Sequence, residues 1–106
     1  MPNVTDISKE SCMVNWNKPV SDGDSAIIGY FVERHQTTST EWIKMTKEPV
    51  KDLFYNDTDL KEDNDYEYRI SAVNKAGVGN PSPPSHMFKA KDPWSKLSYT
   101  NLTSLP

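Results

Sequence analysis

The sequence has a single cysteine, Cys12, among its 106 residues. It therefore closes no internal disulfide and lacks the thiolate set of a structural zinc site. A chain without disulfides weakly favours a reducing compartment. His35 and His86 are the only histidines and stand far apart, so no metal-ligand spacing is present. No apolar run approaches the roughly 20 residues that cross a bilayer, and no membrane partner is expected. The first residues lack the charged, apolar, small-residue order of a signal peptide, so none is expected. Twelve Lys and Arg stand against fifteen Asp and Glu, a net charge of −3 without a run of either sign. Phosphate binding wants a concentrated basic face, so nucleic acid is not expected as a partner. Helical periodicity is missing throughout.

What is present is strand periodicity. The length fits one domain, and an apolar fraction of 35% with 10% aromatics suffices for a modest core. Residues 60–79 organise the rest. Tyr66, Tyr68, Ile70 and Ala72 alternate with Glu67, Arg69 and Ser71, a period of two that predicts a half-buried antiparallel strand. Tyr66 follows Leu60 by six residues across a polar turn. That spacing predicts a tyrosine corner, in which the phenol bonds to the backbone of the preceding turn.

Six further strands are predicted, at 2–8, 11–16, 27–35, 41–45, 51–56 and 85–90. The second has Cys12, Val14 and Trp16 on one face. In the third, Tyr30 and Val32 point inward and Phe31 and Glu33 outward. The fourth brings in Trp42, and the fifth is centred on Phe54. Turn signals separate them, notably Asp22-Gly23 and the glycine loop around Gly77 and Gly79. Seven short strands without helices indicate an all-β, two-sheet antiparallel sandwich. The predicted structural residues are Trp16, Tyr30, Val32, Leu60, Tyr66, Tyr68 and Ile70.

Nothing in the sequence assembles a catalytic constellation. Cys12 reads as a small core residue, and the histidines as surface residues at strand ends. The acidic cluster Asp57, Asp59, Glu62, Asp63 and Asp65 lacks the glycine and ligand spacing of a calcium loop and reads as a solvated turn. Gly77-Val78-Gly79 leads to Pro81 rather than a helix, which rules out a dinucleotide loop. Those glycines are expected to supply positive φ in a turn. No catalytic residue, metal or cofactor is expected, and the chain is read as no enzyme. Sequons at Asn3, Asn56 and Asn101 matter only for a secreted chain. Glu33 and Arg69 are placed to pair across strands on the exposed sheet face, a second candidate surface.

Over about residues 2–92 the pattern resembles a fibronectin type III domain. The resemblance rests on Trp16 with Pro19, Gly29-Tyr30 with Val32-Glu33, Trp42, Phe54, Leu60, Tyr66 and Ala72. A narrower likeness sits on top. The run from Asp22 to Glu33, D-G-D-S-A-I-I-G-Y-F-V-E, resembles type III modules of giant muscle proteins such as titin, twitchin and myosin-binding protein C. The run from Tyr66 to Ser85, Y-E-Y-R-I-S-A-V-N-K-A-G-V-G-N-P-S-P-P-S, is similar to theirs nearly position for position. Asp24 and Ala26 depart from the usual Gly and Pro, which weakens assignment to a specific repeat class.

The resemblance implies an immunoglobulin-like sandwich at 1–92; residues 93–106, rich in Ser and Thr with no core left to join, are read as a mobile linker or appended tail. It implies a non-catalytic structural module in a giant sarcomeric or cytoskeletal protein of the cytoplasm. Its role there would be a mechanical spacer and a docking surface for myosin or another filament protein, with neighbouring immunoglobulin or fibronectin type III modules in the same chain. The alternative is an extracellular adhesion or receptor module. In the resembled fold the loops 19–26 and 74–80 share a pole. That makes Asp22, Gly23, Asp24, Asn74, Lys75, Gly77, Gly79 and Asn80 the candidate protein-binding residues.

The apolar alternation is complete at Ala90. Truncation after Asp92 is therefore expected to leave the melting temperature within a few degrees. A large drop in calorimetry would place Trp94 or Leu97 on the domain and move its boundary.

Overall fold

The computed structural model describes residues 1–19 and 26–93. Two antiparallel sheets face each other. The smaller has the order β1-β2-β5, formed by Asn3–Thr5, Cys12–Asn15 and Phe54–Asp57. The larger has the order β4-β3-β6-β7, formed by Trp42–Lys44, Gly29–Gln36, Asp65–Asn74 and Gly77–Val78. β8 (Phe88–Lys89) pairs with the start of β6. Each of the seven predicted strands has its counterpart, shorter at most ends, and β7 is a two-residue addition. The predicted tail beyond residue 93 lies outside the described residues.

β6 is the spine of the larger sheet. It pairs with β3 over eight residues, from Gly29 opposite Val73 to Gln36 opposite Tyr66. The period of two sends Tyr66, Tyr68 and Ile70 inward to meet Tyr30 and Val32. Cys12, Val14 and Trp16 close the core from the other sheet. Leu60 and Ala90 seal the end where β6 begins. Trp16 and Tyr30 meet edge to face, with ring centroids 5.6 Å apart. β3 also requires a glycine at its first position. A Cβ on Gly29 would stand 2.6 Å from the Cβ of Pro49, where Val50 bridges to Tyr30.

Strand phase decides where two large side chains go. β5 turns Tyr55 and Asp57 inward, so Phe54 faces outward and is half exposed. Trp42 lies opposite His35, an outward position, so it packs on the outer face of the sheet instead of entering the core.

Tyr66 accepts a hydrogen bond from the Lys61 amide at 2.9 Å. This ties the turn 61–64 to the root of β6. That turn passes through Asp63 at φ 70, a left-handed position that Asp tolerates better than most residues. The far edge of β6 is covered differently. Pro81, Pro83 and Pro84 have no amide hydrogen and cannot build a regular ladder. Instead Gly79, Ser82 and Ser85 donate their amides to the carbonyls of Ala72, Ile70 and Tyr68 at 2.7–2.8 Å. The Ser82 and Ser85 hydroxyls in turn accept the Ile70 and Tyr68 amides, both at 3.0 Å. Each serine closes a two-bond ring with one β6 residue. The spacing P-S-P-P-S is thus a device for finishing a sheet edge with prolines in it.

Ser85→Ala leaves the buried Tyr68 amide without an acceptor, and Tyr66→Phe does the same to the Lys61 amide. Each is expected to lower stability in urea by about 1–3 kcal/mol. A neutral Tyr66→Phe would show that the ring alone makes the corner.

Candidate functional site

The chain enters at one pole of the sandwich and leaves at the other. Met1 lies beside Pro19 and Asn80. At the opposite end Ala90 exchanges backbone bonds with Asp63 and Asn64, and Asp92 accepts the Lys9 amide at 3.0 Å. Pro19, at the start of the first predicted loop, and the second predicted loop, 74–80, lie at the N-terminal pole. Pro19 lines one groove with Asn74, Gly77 and Gly79 and another with Asn80. Asp22, Gly23 and Asp24 lie outside the described residues.

The predicted glycine loop is a tight hairpin. Val73 pairs with Val78 and Asn74 with Gly77, leaving Lys75 and Ala76 as a two-residue turn. Asn74 Oδ1 accepts the Ala76 amide at 2.8 Å. Gly77 sits at φ 131, where a side chain is disfavoured. Lys75 and Asn80 are exposed. Sequence reasoning missed the apolar residues at this pole. Val78 is 57% exposed and Ile28 50%, and Leu53 is also exposed. Ile28 and Leu53 line a groove of ≈ 300 Å³ together with Ile27. The signal was the adjacent pair Ile27-Ile28. Alternation can bury only one of two consecutive strand residues.

The outer face of the larger sheet has a different character. Arg69 donates to Glu33 at 2.9 Å and lies 4.3 Å over the Trp42 ring. Lys44 lies 4.0 Å over Phe31. His35 stacks on Trp42, meets Glu67 at 2.7 Å and also reaches the Ser39 carbonyl. His35 is therefore a knitted member of this face and not a plain surface histidine. The charges and rings of this face satisfy one another.

All seven predicted structural residues, Trp16, Tyr30, Val32, Leu60, Tyr66, Tyr68 and Ile70, are buried. Among them runs a polar tie that sequence reasoning placed in solvent. Asp57 is 1% exposed. Its Oδ2 accepts from Arg34 at 2.9 Å and from the Tyr68 hydroxyl at 2.6 Å, and its Oδ1 accepts the Asp59 amide at 3.0 Å. Cys12 Sγ lies 3.3 Å from the same hydroxyl. Arg34 also lies 5.0 Å over the Tyr66 ring. The signal was in β3. Arg34 continues the inward series Tyr30, Val32, and an inward arginine requires a buried carboxylate. Burial pushes the Cys12 thiol from its ordinary 9.0 up to about 11, against the lowering effect of its bond to Tyr68. Burial, followed by the bonds to Asp57 and Cys12, raises the Tyr68 phenol well above its ordinary range. This arrangement suits structural cohesion. A protonated, enclosed thiol is a poor nucleophile.

Residues 2–88 match a family model described as "Fibronectin type III domain". Slow-type myosin-binding protein C of Rattus norvegicus is 40% identical over 87 residues, which are 82% of this chain and 14% of that protein. The cardiac type of Gallus gallus is 35% identical over 98 residues, 92% of this chain and 8% of that protein. The chain thus spans a small part of the curated relatives it matches. Among solved structures, titin domains A168–A170 align with a TM-score of 0.80 at 33% identity, covering 87% of this chain and 31% of that one. The twitchin kinase region of C. elegans aligns at 0.77 and 25% identity, covering 87% and 16%.

The polar tie generates a pH prediction. Cys12 and Tyr68 both hold their protons longer when folded, so the native state binds more protons than the unfolded state in alkali. Stability is then level below pH 9.0 and falls as pH rises toward about 11. The share from Cys12 is about 2–3 kcal/mol. Urea titrations across this range on the parent and on Cys12→Val measure it. The variant is expected to show the shallower fall, and an identical profile would exclude the thiol as its source.

Proposed function

The chain belongs to the fibronectin type III family, and on that footing we propose that it is a non-catalytic spacer and docking module of a giant sarcomeric protein. Its relatives are myosin-binding protein C and modules of titin and twitchin. The observation that carries the reading is the division of surfaces. The outer sheet face is internally paired, whereas the N-terminal pole presents outward Lys75 and Asn80 beside exposed Ile28, Leu53 and Val78. Ile43 and Met87 are exposed elsewhere, but exposed apolar groups next to outward polar ones on a rigid frame are what a partner surface needs.

The spacer reading is supported by the positions of Met1 and Ala90 at opposite poles. The chain enters beside Pro19 and leaves beside Asn64, so tension runs along the strands. It loads the bonds of β1 to β2 and of the proline strap to β6 together, in shear. Were the sandwich to unfold, about 90 residues would extend to roughly 300 Å at about 3.4 Å each. The partners in this reading are neighbouring immunoglobulin or fibronectin type III modules and myosin or another filament protein, in the sarcomere. The absence of catalysis is supported by the enclosed Cys12 and by His35 being committed to Glu67 and Ser39.

Co-sedimentation with reconstituted myosin filaments tests the docking half. Replacing Lys75 and Asn80 by Ala is expected to weaken pelleting severalfold and to leave the urea midpoint unchanged, since neither side chain packs in the core. If the double variant pellets like the parent, this pole is not the docking surface. The module is then a spacer alone.

A further inference from the structure

β5 is an edge strand of the smaller sheet, with β2 on one side and no strand among the described residues on the other. The Trp16 amide donates to the Leu53 carbonyl at 3.0 Å, in register with the pairing of β2 and β5. Antiparallel bonding alternates along a strand. Tyr55 and Asp57 therefore also bond toward β2, and Phe54 and Asn56 turn their amides and carbonyls to the open side. Both residues are exposed. Natural edge strands carry lysine, proline or a bulge against pairing. β4, at the matching edge of the larger sheet, carries Lys44, and β1 follows Pro2. β5 has none of these, and its one charge, Asp57, is buried against Arg34.

The two layers are also unequal. Three strands face four abreast. β5 stands over β3, where Asp57 meets Arg34, so β4 projects past it. Ile43 of β4 lies opposite Arg34 and shares its inward face, yet it is 51% exposed. An inward apolar residue left half in water marks the place where the smaller sheet is one strand short.

We propose that β5 accepts one extended segment of another polypeptide as a fourth, antiparallel strand, with uncharged side chains outward and an apolar side chain inward over Ile43. Three features select that occupant. Open amides and carbonyls on every second residue match an extended backbone. The outer face that the segment would continue is formed by Asn3, Thr5, Met13, Asn15, Phe54 and Asn56. None is charged, in a chain where 25% of residues are. A charged neighbour would lose water there without gaining a counter-ion. The projecting β4 excludes a second copy. Adjacent strands stand only about 4.8 Å apart, so two sandwiches joined β5 to β5 would drive their β4 strands into the same space. The seat begins one residue after Leu53 of the N-terminal pole but uses neither Lys75 nor Asn80. It does not rest on filament docking, and the two proposals fail separately.

The probe is acetyl-Thr-Val-Thr-Val-Thr-amide, titrated into the whole ¹⁵N-labelled chain. Saturable movement of the Phe54 and Asn56 amide signals is expected, with hydrogen exchange at both slowed severalfold near saturation. The Trp42 and Lys44 amides, on the edge guarded by lysine, are the internal control and stay still. In the proposed pairing the threonine amides face β5 and the valine amides face water. N-methylation of the central threonine is therefore expected to weaken binding at least tenfold, and N-methylation of a valine to change it little. Glutamate in place of the threonines is expected to weaken it severalfold. Phe54→Lys puts a charge at an exposed position of this edge and is expected to do the same. No saturable shift at millimolar peptide overturns the site. Equal binding of the two methylated peptides overturns strand addition and leaves apolar adsorption. Equal binding of the glutamate peptide overturns the uncharged class, and indifference to Phe54→Lys places the binding elsewhere. Slow exchange at Phe54 and Asn56 without peptide overturns the partner strand. If it holds at every protein concentration, the chain covers this edge itself, and if it grows with concentration, a second copy does.

Discussion

A carboxylate held almost wholly out of water sets the terms on which the two sheets meet. Asp57 belongs to the smaller sheet, and Arg34 and Tyr68 to the larger. The short bonds among them cross the gap between layers that are otherwise joined chiefly by apolar contact. Hydrophobic packing is non-directional and tolerates sliding. A carboxylate with two donors from one opposing sheet does not, because any shift in register leaves a buried charge unpaired. Removing one partner of such a pair typically costs about 3–5 kcal/mol, a large part of a domain's total stability. The tie therefore contributes specificity of alignment more than net stability. Well-packed apolar side chains in its place would often be as stable.

The rest of the larger sheet is anchored from β6 outward. Tyr68 holds the tie at its hydroxyl and the strap at its backbone, through both atoms of Ser85. Tyr66, two residues earlier, holds the preceding turn. One strand thus fixes the opposing sheet, the turn before it and the edge after it. A single alternating run can do this because its inward residues are tyrosines. Each brings ring area for the core and an oxygen that reaches past the core to a polar partner.

How much of this was legible in the sequence follows from what each pattern constrains. Period two located β6, β3 and β2 and set the inward faces of Tyr66, Tyr68, Ile70, Tyr30, Val32 and Trp16. It could not by itself set the phase of short strands flanked by turns. The fourth strand was expected to bring in Trp42 and the fifth to centre on Phe54, whereas their positions opposite His35 and Asn15 turn both outward. Asp57 was read as solvated because four other acids follow it within a few residues. Its burial depends on Arg34, more than twenty residues earlier, and only the three-dimensional pairing of the sheets brings the two together. The glycine loop was legible as a turn but not as a closed hairpin. The backbone of Asn74 and Gly77 decides that, and their side chains do not announce it.

The same physics distributes the surface. On the outer sheet face every cation has a ring or a carboxylate: Arg69 has Glu33 and Trp42, and Lys44 has Phe31. A partner landing there would have to desolvate pairs already formed, and such pairs roughly break even at best when buried. The C-terminal pole is built from backbone bonds around buried Ala90 and from the exposed charges of Lys61, Glu62, Asp63 and Lys91, which water solvates well. The N-terminal pole differs because consecutive apolar residues at Ile27-Ile28, a tight hairpin ending in Val78 and an opening between the sheets beside Trp16 all fall there. These are the places where strand alternation runs out. An apolar side chain that alternation cannot bury remains exposed, and a rigid frame then presents it in a fixed position. In this sandwich the exposed apolar surface of that pole arises from the same geometric limit that ends the core.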